Sequence, residues 1–329
     1  MIKPRFRRSF FLYLVILIIF VFGFYISTSV LRISEGCQQQ PKKQELRSKI
    51  NSPSFSKQSE FFIVIIFSAP ENYEKRRVIR RTWLLTKKNL SIRHFFVIGS
   101  ASLNFKQINA LNAEHFQFVD LILLDTVSDS FSKLSNKLLQ TFQWLDSHMN
   151  FTFLLKVDDD SFVRLDALYA KIEQQPKEKL YWGFFDGQAR VKSKGKWAES
   201  VWFLCDRYLP YAKGGGYILT QDLVSKIVLM SDLLFLYRNE DVALGTWLAP
   251  FDIQRLHDPL FDTEYLSRGC LNSYLVTHKQ STSMMVSKYN HIVKSGNICL
   301  SEYKSRPSYN YDWKVLPSHC CYRNDSKVP

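Results

Sequence analysis

Four short apolar runs divide the middle of this chain at intervals that leave room for a helix between them. "FFIVIIF" (61–67), "HFFVIG" (94–99), "VDLILLD" (119–125) and "FTFLLKV" (151–157) have the length and composition of buried strands. Between them lie "ENYEKRRVIRRTWLL", "NFKQINALNAEHF" and the stretch from Asp129 to Met149, all of helical length. In the last, Phe131, Leu134, Leu138, Leu139, Phe142 and Leu145 recur every three or four residues, which gives one apolar face. This alternation predicts an α/β fold with a mainly parallel sheet and helices on both faces. The second half is less regular. "YWGFF" (181–185) reads as a short strand, "QDLVSKIVLM" and "EDVALGTWLA" as helices, and "KGGGY" (213–217) as a loop. One domain over residues 60–329 suits the size better than two.

The start of the chain is of a different kind. Residues 9–31 carry no charge and are almost wholly apolar, long enough to cross a bilayer as a helix. A cleaved signal peptide would have a shorter apolar region followed by small residues, whereas Phe, Ile and Tyr continue here to Ile26. Lys3, Arg5, Arg7 and Arg8 precede the span, and only Arg32 follows closely. The positive-inside rule then keeps residues 1–8 in the cytosol and places the rest on the other side, a type II topology. Residues 32–59 are rich in Gln, Lys and Ser and read as a flexible stem. The formal charge is +14; the tail holds four of those charges and residues 32–60 three. Nucleic acid is a poor partner in that compartment, so the remaining excess suits anionic ligands or a plain basic surface. Six cysteines fit an oxidising compartment. Five lie in the body, so disulfides should tie down its C-terminal part and leave one cysteine free, or paired with another chain or with Cys37. The sequons at Asn89, Asn150 and Asn324 agree with lumenal exposure.

The fourth strand runs straight into Asp158, Asp159 and Asp160. Side chains alternate along an extended chain, so Asp158 and Asp160 should face one way and Asp159 the other. Two carboxylates on one side at a strand end suit a hard divalent cation such as Mg²⁺ or Mn²⁺; a solvated turn is the plain alternative. In "KRRVIRRTW", Arg76 and Arg80 share a helix face near the end of the first strand, where two guanidiniums would suit a diphosphate or simply make a basic surface. Three glycines in "KGGGY" would let backbone approach a ligand closely. "NEDVALG" places Glu240 and Asp241 at a helix start, where either could cap the helix or act as a general base. His257 and His278 follow strand-like stretches and could complete a metal site, although a lone histidine is more often packed or on the surface.

Taken in order, "RRVIRRTW", "LLKVDDDSFV", "YWG", "YAKGGGYILT" and "EDVALG" resemble the β1,3-glycosyltransferase superfamily of Golgi type II enzymes. "LCDRYLPYAKGGGY", "SRGC", "YLVTHKQS", "YDW" and the adjacent Cys320 and Cys321 are similar to its galactosyltransferase branch acting in glycosaminoglycan linker synthesis. The resemblance implies a GT-A type, Rossmann-like α/β sandwich in the Golgi membrane. It implies UDP-galactose as donor, Mn²⁺ as cofactor, and galactosyl-β1,4-xylose on a proteoglycan core protein as acceptor. Association with other linker-synthesis transferases is an expectation of the same origin. By the same resemblance Asp160 holds the metal, with Asp158 and His278; His257 is the second choice. Asp241 is the base. Arg76, Arg80, Lys156 and Asp159 bind the donor, and Trp202, Gly214, Gly215, Gly216, Tyr217 and Glu240 shape the sugar pocket. Leu84 departs from the glycine that many relatives have after the tryptophan. An N-acetylglucosaminyl- or N-acetylgalactosaminyltransferase shares most of these motifs. A tethered glycan-binding module with a Ca²⁺-filled aspartate cluster is the non-enzymatic alternative, and it leaves the arginine helix unexplained.

Overall fold

In the computed structural model, residues 57–87 and 90–323 are described. The expected tail (1–8), span (9–31), nearly all of the stem (32–59), Cys37, Asn89 and Asn324 lie outside them. Among the described residues no helix is long and apolar enough to cross a membrane.

In chain order the first half comprises β1 (Gln58–Phe67), α1 (Tyr73–Arg81), β2 (Ile92–Gly99), α2 (Phe105–Phe118), β3 (Leu121–Leu124), α3 (Leu134–His148) and β4 (Met149–Asp158). The four expected strands and three expected helices are all present. β1 is buried on both faces from Phe62 to Phe67, as its unbroken aromatic and β-branched run requires. α2 opens with a reciprocal capping box between Asn104 and Gln107. The third helix is shorter than its periodicity suggests: Phe131–Lys133 form a 3₁₀ turn, and the α-helix begins at Leu134.

The second half comprises β5 (Phe162–Val163), α4 (Leu165–Ile172), β6 (Leu180–Asp186), β7 (Tyr211–Thr220), α5 (Gln221–Leu229), α6 (Glu240–Leu248), β8 (Gln254–His257), β9 (Phe261–Asp262), β10 (Gly269–Cys270), β11 (Val276–Thr277), α7 (Thr282–Ser295) and β12 (Tyr303–Lys304). The main sheet has seven strands in the order β3-β2-β1-β4-β7-β6-β8. It is mainly parallel, but β7 runs antiparallel to both β4 and β6. "KGGGY" is therefore not a loop. It lies inside β7, where Tyr217 pairs with Lys156 and Gly216 with Val157. Glycine disfavours strands on its own, so only the neighbouring β4 and β6 explain this assignment.

Strand order reverses at β1 and β4, which creates a crevice at their carboxyl ends. A three-stranded sheet, β5-β11-β9, takes its first strand from the segment just after β4. The Cys270–Cys299 disulfide fastens the C-terminal part, Cys320 and Cys321 bond to each other as chain neighbours, and Cys205 is the free, exposed cysteine among the described residues. Asn150 is exposed near the start of β4.

The arginine helix has a structural task. Arg76 is fully buried and spends its guanidinium on both oxygens of Glu114, the Ser68 hydroxyl and the Ala69 carbonyl. Arg80 grips Glu114 and both oxygens of Asp120, and lies over the Phe96 and Phe118 rings. The expectation that these two residues hold a diphosphate is corrected: their donors tie α1 to α2 and to the turn before β3.

Asp120 makes this network sensitive to acid. Burial would raise its carboxyl, but His94 and Arg80 outweigh that and hold it at about 2. Its folded pKa is below its unfolded one, so its stabilisation is full above the unfolded value and lost as pH falls toward 2. Asp120→Asn should lower the unfolding free energy at pH 7 by roughly 2 kcal/mol. Urea unfolding across pH should show the gap to wild type closing below pH 4.

Candidate active site

β4 delivers its last residue level with the end of β1, where Phe67 pairs with Asp158. Beyond it the chain turns, with the Asp159 amide donating to the Phe67 carbonyl and the Ser161 amide to the Asp158 carbonyl. The carboxylates divide as the pleat demands. Asp159 turns toward α1 and accepts from the Ser68 hydroxyl, Asn72 Nδ2 and Lys75 Nζ at 2.8–2.9 Å. Asp158 and Asp160 turn the other way, toward His278.

His278 follows β11, and its amide donates to the Asp262 carbonyl. Two residues on, the Gln280 amide donates to the Asp160 carbonyl at 2.7 Å, which stitches this segment to the aspartate turn. His278 Nε2 lies 3.0 Å from Asp160 Oδ1 and 3.6 Å from Asp158 Oδ2. One donor atom from each of the three residues lies within 4.8 Å of the others. Both ring nitrogens of His278 are buried without a well-formed hydrogen bond. A divalent cation would satisfy Nε2 and both carboxylates together, and two hard oxygens with one imidazole are a donor set that Mn²⁺ accepts. Burial opposes a proton on His278, but the two aspartates outweigh it and push the ring up to about 9. A bound cation would replace that proton. His257, the second choice, faces elsewhere: its Nδ1 accepts from the Phe185 amide and its ring stacks on Tyr309.

The glycines of β7 make room for these groups. A Cβ on Gly215 would stand 2.5 Å from the His278 ring. A Cβ on Gly214 would stand 3.0 Å from Glu240 Oε2 and 3.2 Å from Asp241 Oδ2. The Gly214 amide instead donates to Asp241 Oδ2 at 3.0 Å. Glu240 and Asp241 open α6, as expected. Asp241 is half-buried, and its Oδ1 accepts from the Val242 amide. Burial lifts its carboxyl above the ordinary range, against the pull of Lys213 and the Gly214 amide. Glu240 is pushed up to about 7, by burial first, although Lys156 opposes it. Its Oε1 accepts from the Tyr217 hydroxyl at 2.5 Å.

Lys156 joins the two acidic groups. Its buried Nζ lies 2.9 Å from Asp158 Oδ1, 3.1 Å from Glu240 Oε1 and 2.8 Å from the Gly214 carbonyl. An ammonium has three protons, and all three have partners here. The expectation of a donor contact is therefore corrected: Lys156 is an internal clamp. Trp202 packs against the cluster of Tyr208, Tyr211 and Val242 and donates to the Cys205 carbonyl, so it supports the wall beside Asp241.

Other residues were not legible in the sequence. Glu199 is buried and accepts from the Arg238 and Asn239 amides, which fixes the segment leading into α6. Asp186 and Lys213 pair at 2.7 Å beside Gly214. Nothing in their spacing marks either contact, because the partners are 27 to 40 residues apart.

A sequence model of the family described as Galactosyltransferase matches residues 74–259, which include the aspartates, the glycine strand and Asp241. Beta-1,3-galactosyltransferase 6 of Mus musculus is 46% identical over 271 residues, covering 80% of this chain and 83% of that protein. Hydroxyproline O-galactosyltransferase GALT6 of Arabidopsis thaliana is 28% identical over 77% of this chain, but over only 38% of its own length. UDP-GalNAc:beta-1,3-N-acetylgalactosaminyltransferase 2 of Xenopus tropicalis is 30% identical over 60% of this chain and 40% of its own length. With a family model across more than half of its residues and a relative this similar along most of its length, the chain belongs to the galactosyltransferase family.

Proposed function

We propose that the protein transfers galactose from UDP-galactose, with inversion, to the 3-hydroxyl of the galactose in galactosyl-β1,4-xylosyl-protein. The observation that carries this reading is the placement of Asp158, Asp160 and His278 on one side of the glycine strand and Asp241 on the other. The match to beta-1,3-galactosyltransferase 6 supports galactose over the N-acetylated sugars. A GT-A type of fold belongs to the same reading, supported by the mixed sheet and by the aspartates at its carboxyl edge. So do Golgi residence and type II topology, supported by the charge-flanked apolar stretch at 9–31.

The donor's bond to UDP is α and the product bond is β, so a single in-line displacement suffices and no covalent nucleophile is required. It needs a base on the acceptor side and neutralisation of the leaving diphosphate. Mn²⁺ held by Asp158, Asp160 and His278 would supply that neutralisation. Asp241 takes the proton of the acceptor hydroxyl. Its raised pKa improves it as a base, and the Gly214 and Val242 amides keep the carboxylate aimed. Lys156 and Tyr217 hold Glu240 beside it, and the buried ammonium keeps Asp158 ionised for the cation.

The test is to incubate the chain with Mn²⁺, each UDP-sugar in turn and a galactosyl-xyloside, and to identify the linkage formed. Transfer of an N-acetylated sugar instead of galactose would overturn the donor. Asp241→Asn should lower kcat by about 10²–10⁴-fold while UDP still binds, and unchanged turnover would remove Asp241 from the role. His278→Ala should weaken Mn²⁺ binding by about 10–100-fold or more, read by the loss of the free Mn²⁺ paramagnetic signal on titration. Activity that survives a chelator would overturn the metal assignment.

A further inference from the structure

Arg76 and Arg80 are spent on Glu114 and Asp120, so a diphosphate at this edge needs another basic partner. The charges of Asp158 and Asp160 cancel the two of a divalent cation, and a diphosphate seated on that cation still lacks a cationic counterpart.

Among the described residues three lysines touch the aspartate turn, and they are not alike. Lys156 is buried with all three protons committed. Lys75 Nζ lies 2.8 Å from Asp159 Oδ1, and that carboxylate faces α1, away from His278. Lys279 Nζ lies 3.1 Å from Asp160 Oδ2, while Oδ1 of the same carboxylate lies 3.0 Å from His278 Nε2. Lys279 thus shares its carboxylate with the candidate cation site. Its side chain is 44% exposed, and Asp160 takes only one of its three protons.

The backbone around it is held. The His278 amide donates to the Asp262 carbonyl and the Gln280 amide to the Asp160 carbonyl, with Lys279 between them in the left-handed conformation at φ 60°. The base of the side chain is therefore placed, while its tip is held by one contact at the surface. A cation that claims Asp160 weakens that contact, because it takes the carboxylate's charge and repels the ammonium. A lysine released in this way is a mobile point charge with free donors, which suits phosphate oxygens.

We infer that Lys279 is a tethered counter-ion with two stations: Asp160 while the cation site is empty, and the diphosphate of the sugar nucleotide once cation and nucleotide are bound. The inference rests on the transferase reading above and adds a coupling between the two ligands. Lys279 opposes the cation alone, and favours the cation together with the nucleotide.

The test uses the full chain in detergent and the variant Lys279→Met, which keeps the length of the side chain and removes its charge. Without nucleotide, Mn²⁺ should bind the variant roughly two- to fivefold more tightly, the scale of one exposed ion pair, read by the free Mn²⁺ paramagnetic signal. At saturating Mn²⁺, UDP should bind it about tenfold more weakly by calorimetry, the scale of one charge-assisted hydrogen bond. Damage to the fold would weaken both, so the opposite signs carry the inference. Mn²⁺ binding that is unchanged or weaker overturns it, and so does an unchanged affinity for UDP. Lys75→Met removes a charge beside the same turn, but from the carboxylate that faces away from the cation, and should not tighten Mn²⁺. Equal tightening there would mean a diffuse field and overturns the two stations. A wild-type chain that binds Mn²⁺ but not UDP overturns the transferase reading itself, and shows this before any variant is made.

Discussion

One buried ammonium sets the spacing of the whole site. Lys156 has its charge removed from water between a carboxylate of the metal-type cluster and a carboxylate of α6, with a backbone carbonyl as third partner. Removing one partner of such a group commonly costs about 3–5 kcal/mol, because the remaining charge is left buried. β4 and α6 are therefore not free to drift apart. The Phe67 and Tyr217 rings lie near the ammonium and reinforce the arrangement from the core side.

That constraint explains β7. A strand must pass between the histidine and the carboxylates of α6 while remaining paired with β4 and β6. Any side chain at Gly214 or Gly215 would occupy space already held by Asp241, Glu240 or His278. The strand keeps its hydrogen bonds and gives up its side chains, and one freed amide then serves as the contact that aims Asp241. Stability and chemistry draw here on the same three residues.

The histidine side is braced from behind. Arg268 is almost wholly buried against Asp262, whose carbonyl fixes the His278 amide. Farther along the chain, Cys270–Cys299 ties β10 to the segment after α7. A candidate metal ligand that directly follows a two-residue strand needs such bracing, since two residues of pairing would not hold its position alone.

The order of strands and helices from β1 to β4, the turn of acidic residues at a strand end, the α6 carboxylates and the opposite facing of Asp158 and Asp159 were legible in the sequence. They follow from local rules: burial pattern, period, and alternation along an extended chain. What the sequence could not decide was where charge meets charge. Arg76 and Arg80 look like anion binders because a chain of letters does not show Glu114 and Asp120 waiting 34 to 40 residues away. Lys156 looks like a ligand contact until Glu240 closes on it from another element. The glycines look like a loop because their strand is imposed by neighbours and not by propensity. Local structure is set by interactions along the chain, and those the sequence contains. Electrostatic roles are set by partners distant in the chain, and only the tertiary fold brings them within reach.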